Sequence, residues 1–240
     1  MNKILFTLLG LTALAQAHFL TFLPSTDNVN NQKEAKVDFD ISFIHPFEQT
    51  GMTMQMPELF LESKQNKLKL QETKKFDHKA WKSSYKIKRP GVYKFFVKPQ
   101  PYFEPAEEKF ISHVPKVIIS SFGLEDGWDE PVGLKYEIIP MTKPFGLYSG
   151  NLFQGEVLNN GKAPSNVEVE VELYNEFGLK APSDAHITQV VKTDNNGVFS
   201  FTMNHKGWWG FAALIEEGEL KHDGKNYPIE NGALMWVKAY

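Results

Sequence analysis

Apolar and polar residues alternate with a period of two along much of the chain. In Lys36 to Phe43, Val37, Phe39, Ile41 and Phe43 share one face, and Asp38, Asp40 and Ser42 the other. From Asn166 to Leu173 the alternation is stricter, with Val167, Val169, Val171 and Leu173 opposite Glu168, Glu170 and Glu172. Successive side chains of a strand point to opposite faces, so both runs predict half-buried β-strands. The three glutamates read as a solvated face that blunts association between sheets. Tyr93, Phe95 and Val97 follow the turn signal Pro90-Gly91, Lys116 to Ser121 is a short β-branched run, and Ala233 to Ala239 predicts a final strand. Asp194-Asn195-Asn196-Gly197 lies between the runs His186 to Thr193 and Val198 to Met203, which predicts a hairpin closed by residues that tolerate positive φ. No long 3.6-residue period occurs, and the only helix expected is one short turn within Lys74 to Lys82.

Many short strands with frequent turn signals predict β-sandwiches. The Pro/Gly-rich stretch Pro140 to Gly150 marks a junction. The expectation is an all-β protein of two immunoglobulin-like antiparallel sandwiches in tandem, 18–145 and 146–240. The second would resemble a transthyretin-like module, with Gly155, Val157, Gly161 and Pro164 at its start. Residues 1–17 read as a secretory signal. Lys3 precedes the apolar run Ile4 to Leu14, and Ala15-Gln16-Ala17 fits the small-x-small cleavage pattern. The apolar run is short for a membrane span, and no later stretch approaches one. Export to a bacterial periplasm with cleavage after Ala17 is expected, leaving a chain that begins at His18.

Composition narrows the chemistry. The 240 residues hold no Cys, which excludes a disulfide framework, a thiol nucleophile and Cys-ligated metal. A formal charge of −3 gives no electrostatic footprint for nucleic acid. Nucleophile-elbow, zincin, Walker and dinucleotide signatures are missing, so no enzyme is expected. The seven histidines carry more information. At a mature N-terminus His18 offers an α-amine and an imidazole from one residue, and the amine loses its proton readily near neutrality. One or two further imidazoles would complete a site for Cu(II), Ni(II) or Zn(II). His45 closes the Val37–Phe43 strand ahead of Pro46, which ends a ladder. Met52, Met54 and Met56 then alternate, and thioethers suit soft ions such as Cu(I), although they also serve as flexible packing. His113 follows an aromatic and acidic loop in which Glu104 and Glu108 are candidate ligands or orienting acceptors. His186 and His205 would face each other across the predicted hairpin. His78 and His222 sit among charged residues and read as solvated. Trp208-Trp209-Gly210-Phe211 is either core or a binding platform.

The chain resembles the exported DUF4198 family, whose members are often labelled NikM-like periplasmic proteins of nickel transport. The matching segments are Ala17-His18-Phe19, His45 to Met54, Arg89 to Tyr93, Pro101 to His113, Gly127 to Val157, Lys192 to Phe201 and Gly207 to Leu214. The resemblance implies a metal-handling protein that serves a membrane metal transporter, with nickel first and copper or zinc as alternatives. His18, His45, His113, Met52 and Met54 lie inside matching blocks and are the candidate ligands it carries over. Two rival readings remain. One is a copper chaperone or histidine-brace copper oxidase built on His18. The other is a metal-free adhesion module presenting Trp208 and Trp209.

Overall fold

The computed structural model describes residues 18–61 and 66–240, so the expected signal segment lies outside the described residues. The strands run β1 (Phe19–Pro24), β2 (Asn28–Val29), β3 (Lys36–His45), β4 (Thr50–Met52), β5 (Glu58–Leu61), β6 (Asn66–Leu68), β7 (Gln71–Lys75), β8 (His78–Lys86) and β9 (Gly91–Lys98). They continue as β10 (Tyr102–Glu104), β11 (Lys109–Ser121), β12 (Tyr136–Pro140), β13 (Leu152–Asn159), β14 (Glu168–Leu173), β15 (Gln189–Lys192), β16 (Val198–Thr202), β17 (Gly207–His222) and β18 (Lys225–Ala239). Among the described residues one 3₁₀ turn, Asp184–His186, is the sole helical element. The fold is all-β, with sheets packed face to face.

Three sheets form three layers. A ten-stranded sheet in the order β15-β14-β17-β18-β11-β9-β5-β6, with β2 and β10 added to β11, lies in the middle. On one face sits the sheet β1-β3-β8-β7 with β4 beside β3, and on the other the sheet β12-β13-β16. Two apolar cores fill the gaps. Phe22, Phe39, Phe95, Val117, Ala212 and Trp236 belong to the first, and Ile138, Phe153, Val171, Phe211, Met235 and Val237 to the second. The central strands β11, β17 and β18 contribute alternate residues to each core, which is why they read as continuous apolar runs. Trp208 and Trp209 point to opposite cores and are buried, so the aromatic block is interior. Most pairs are antiparallel, but β11 and β18 pair in parallel and join early and late strands in one sheet. The Pro140–Gly150 stretch connects β12 to β13, which are neighbours in the three-stranded sheet.

Two local expectations are corrected. Lys74 to Lys82 holds no helical turn but a β7–β8 hairpin, closed by Phe76 and Asp77 with φ of 48° and 61°. Two positive φ values are what a two-residue hairpin turn of the right twist requires. The Asp194–Gly197 turn forms, with the Asp194 carboxylate accepting the N–H groups of Asn196 and Val198. The flanking strands, however, separate: β15 joins β14 in the central sheet and β16 joins β13 in the outer one. The turn is a corner between layers rather than a hairpin.

β1 carries the first histidine of the chain into the fold. Its six residues are all buried. The Trp236 indole donates to Leu20 O at 3.1 Å, and Phe19 meets the Trp236 ring edge-on. Gly210 leaves the space for this contact, because a Cβ there would stand 2.9 Å from Trp236 and 3.0 Å from Phe19. The edge strand is thereby fixed to the central sheet, and His18 with it.

Candidate metal centre

The β1–β3 register pairs Phe19 with Ile44, so the next residues outward, His18 and His45, are cross-strand neighbours. Their rings stand 4.6 Å apart between centroids. Two imidazoles bound side by side to one ion, through metal–nitrogen bonds of about 2 Å, place their centroids roughly 4.5–5 Å apart. β3 ends at His45, as Pro46 predicts. Glu104 projects from β10, and its carboxylate lies 3.3 Å from His18 Nε2. Burial, and then the neighbouring His45, hold the His18 imidazole down to about 4 against the pull of Glu104. At neutral pH its ring nitrogen therefore keeps the lone pair a ligand needs.

The facing central sheet supplies the remainder. His113 on β11 is buried, with Nε2 3.2 Å from Glu230 and with Nδ1 lacking a partner. Lys109 bridges the carboxylates of Glu230 and Glu107. Burial works against the Glu230 charge, but the hydrogen bonds and charges of His113 and Lys109 prevail and hold that carboxyl near about 2. Two further carboxyls come from β14. Burial pushes Glu170 up to about 7, with the His113 charge opposing it. Burial pushes Glu172 up to about 8, although it accepts the Phe47 N–H at 3.2 Å. Glu168 alone fits the expected solvated face. The correction has a simple cause: the central sheet is covered on both sides, so the polar face of β14 points at the first sheet rather than at water.

His18 and His45 therefore pair, with Glu104 as an acceptor, and His113 lies on the facing sheet, bonded to Glu230 and near enough for its charge to act on His18. Glu108 takes no part, because it occupies an exposed turn beside Lys225. Met52 lies opposite Phe43 on β4, and Met54 lines a separate cleft. His186 and His205 line one small cavity in the later half and bond to Ser183 Oγ and Lys206 O. His222 stacks on Phe103 at 4.2 Å. Among the described residues, no three or more His, Asp or Glu side chains already surround one point as a bound metal would require. The cluster consists of pairs, and the α-amine of His18 would arise on cleavage after Ala17. Glu170, Glu172, Glu230 and Gly232 are not recognisable as parts of this cluster from sequence.

Gly232 is the spatial key to His113. A Cβ at this position would stand 2.3 Å from His113 Cδ2 and 2.6 Å from Cγ, so the imidazole lies directly over the β18 backbone. Gly232→Ala is expected to drive the ring from its place at a cost of about 1–3 kcal/mol. Urea unfolding should show the loss, and the His113 imidazole resonances in an NMR pH titration should shift. An unchanged midpoint with unchanged resonances would mean that the ring does not need this space.

The family model for DUF4198, described as a domain of unknown function, matches residues 15–217, and the chain belongs to that family. No curated protein matches the sequence. Among solved structures it is similar to the D0-D1 domain of intimin, at 13% identity over 92% of this chain and 97% of that one, with a TM-score of 0.25. It is also similar to the Yersinia pseudotuberculosis adhesin InvE, at 9% identity over 88% and 58% of the two chains, TM-score 0.26. A third similarity is to the fibronectin(III)-like modules of Clostridium thermocellum CbhA, at 6% identity over 91% and 95%, TM-score 0.25. Similarities at this level say nothing about function. Among the described residues no helix is long and apolar enough to cross a membrane.

Proposed function

We propose that the protein is exported to the periplasm, is cleaved after Ala17, and binds a divalent transition metal for a membrane uptake system, with nickel the first candidate. The observation that carries this reading is the His18–His45 pair at 4.6 Å, with the Glu104 carboxylate against His18. Cleavage would add the His18 amine to two imidazoles and a carboxylate, a donor set suited to Ni(II), Cu(II) or Zn(II). His113, with an unpartnered Nδ1 and a charge that acts on His18, would be the next donor. Glu104 would fix the His18 ring or bind directly, as carboxylates beside ligating imidazoles do.

The same pair favours a second reading. An amine and two imidazoles are also the donors of a copper-binding histidine brace, so a copper chaperone or oxidase is the alternative. The adhesion reading loses its main support, since Trp208 and Trp209 are interior.

The test is calorimetric titration of protein beginning at His18 with Ni(II), Cu(II) and Zn(II). Submicromolar binding of about one equivalent is expected, weakened at least about 100-fold by His45→Ala, roughly 2.7 kcal/mol. A Met retained before His18 should weaken it similarly by removing the amine. Binding no tighter than about 0.1 mM for every ion would end the proposal, and peroxide formation with copper and a reductant would move it to the oxidase.

A further inference from the structure

β10 has a second face. Tyr102 and Glu104 turn toward the histidine pair, whereas Phe103 points the other way and stacks on the His222 imidazole at 4.2 Å. Phe103 and His222 open onto a cleft of about 680 Å³ whose lining also includes Met54, Met56, Tyr102 and Trp81. Met54 is buried in its wall, whereas Met56 is 59% exposed. Trp81 is 6% exposed, and its indole N–H finds no acceptor. Among the described residues that line the cleft none is Asp or Glu, and Lys79 is the charged one. The carboxylate nearest His222 is that of exposed Asp223, at 3.6 Å from Nε2 and outside hydrogen-bonding range.

This chemistry differs from that of the histidine pair. Thioethers are polarizable and neutral, and they favour soft ions over Ni(II) or Zn(II). Imidazole accepts either kind. Aromatic faces attract a cation that has shed its water. The exposed Asp223 carboxylate beside His222 is offset by Lys79 in the lining, so a divalent ion would meet little net compensating charge. A monovalent ion demands less.

We propose that this cleft is a site for a soft monovalent cation, Cu(I) or its analogue Ag(I), bound by the thioethers of Met54 and Met56 and the imidazole of His222, with the rings of Trp81 and Phe103 beside it. It is a second site, whose lining shares no residue with the histidine pair or Glu104, and it stands whether or not that pair binds nickel.

Chloride-free titration of the protein beginning at His18 with Ag(I) tests the assignment. About one equivalent should bind at submicromolar concentration. Met54→Leu/Met56→Leu, which conserves volume, should weaken it at least about tenfold, or 1.4 kcal/mol. His222→Phe, which keeps the ring stack, should weaken it as well, while His45→Ala should leave it within about threefold of the parent. If the double variant fails to fold, exposed Met56→Leu alone carries the test. The proposal is overturned by the absence of Ag(I) binding, by full binding in the Met variant, or by a loss confined to His45→Ala, which would place the ion at the histidine pair. Loss of Ni(II) binding with Ag(I) binding retained would defeat only the function proposed above.

Discussion

Glu137→Leu is expected to destabilise the fold by about 3–5 kcal/mol, among the largest effects of any single substitution outside the histidine cluster. Lys116 on β11 and Glu137 on β12 meet at 2.6 Å, and both are almost fully buried between the central and three-stranded sheets. Glu137 also accepts the N–H groups of Val132, Gly133 and Leu134 at 2.9 to 3.1 Å. Its removal strands an ammonium in the core together with three donors. Burial, with help from Lys94, already pulls the Lys116 proton affinity down, and Glu137 is what opposes this. Lys116→Met is a different case, because the carboxylate keeps its three donors; a loss of about 1–3 kcal/mol is expected. A double-mutant cycle read by urea unfolding should give a coupling of about 1–3 kcal/mol. Equal losses for the two single variants, with no coupling, would show that the pair is held by packing alone.

The sequence discloses strands more readily than it discloses what covers them. Lys36 to Phe43 and Asn166 to Leu173 alternate and are strands, because alternation is a property of the single strand. It reports that the two faces differ, not that the polar one meets water. Glu170 and Glu172 are therefore the instructive misreading: their side of β14 faces a second sheet built from β1, β3, β4, β7 and β8, all more than eighty positions earlier. β1 is unreadable for the complementary reason, since with all six residues buried it has no polar face to mark its period. His18 and His45 can be singled out from their positions at a cleavage site and before a proline. Their pairing depends on the β1–β3 register, which no local pattern encodes. The same holds for His113, whose ring occupies space left by Gly232, and for Met54, which shares its cleft with His222 from the other end of the chain. The Asp194–Gly197 turn is legible as a turn because Asp side chains bond locally. Its strands part because each finds a better partner in a different sheet.

Raising the pH from about 5 to 9 is expected to remove stability, on the order of 3–5 kcal/mol, through Glu172. Burial pushes its carboxyl up to about 8 in the folded protein, against an ordinary value of 4.5 in the unfolded chain. Between those values the folded state holds a proton that the unfolded state has released. Stability therefore falls as pH rises across this window, at up to about 1.4 kcal/mol per pH unit. Glu170, raised to about 7, adds a loss of the same sign that ends earlier. Glu172→Gln keeps an oxygen for the Phe47 N–H and is neutral at every pH. Its stability should match the parent at about pH 5 and exceed it by roughly 2–4 kcal/mol at about pH 9. Urea unfolding at about pH 5, 7 and 9 compares the two slopes; parallel curves would mean that Glu172 is ionised when folded. Proton retention also lets five glutamates, Glu104, Glu107, Glu170, Glu172 and Glu230, share one end of a sandwich. Glu107 and Glu230 are held by Lys109, Glu104 faces His18, and of the innermost two, on β14, Glu172 remains largely protonated near neutrality and Glu170 about half, which reduces the repulsion within the cluster.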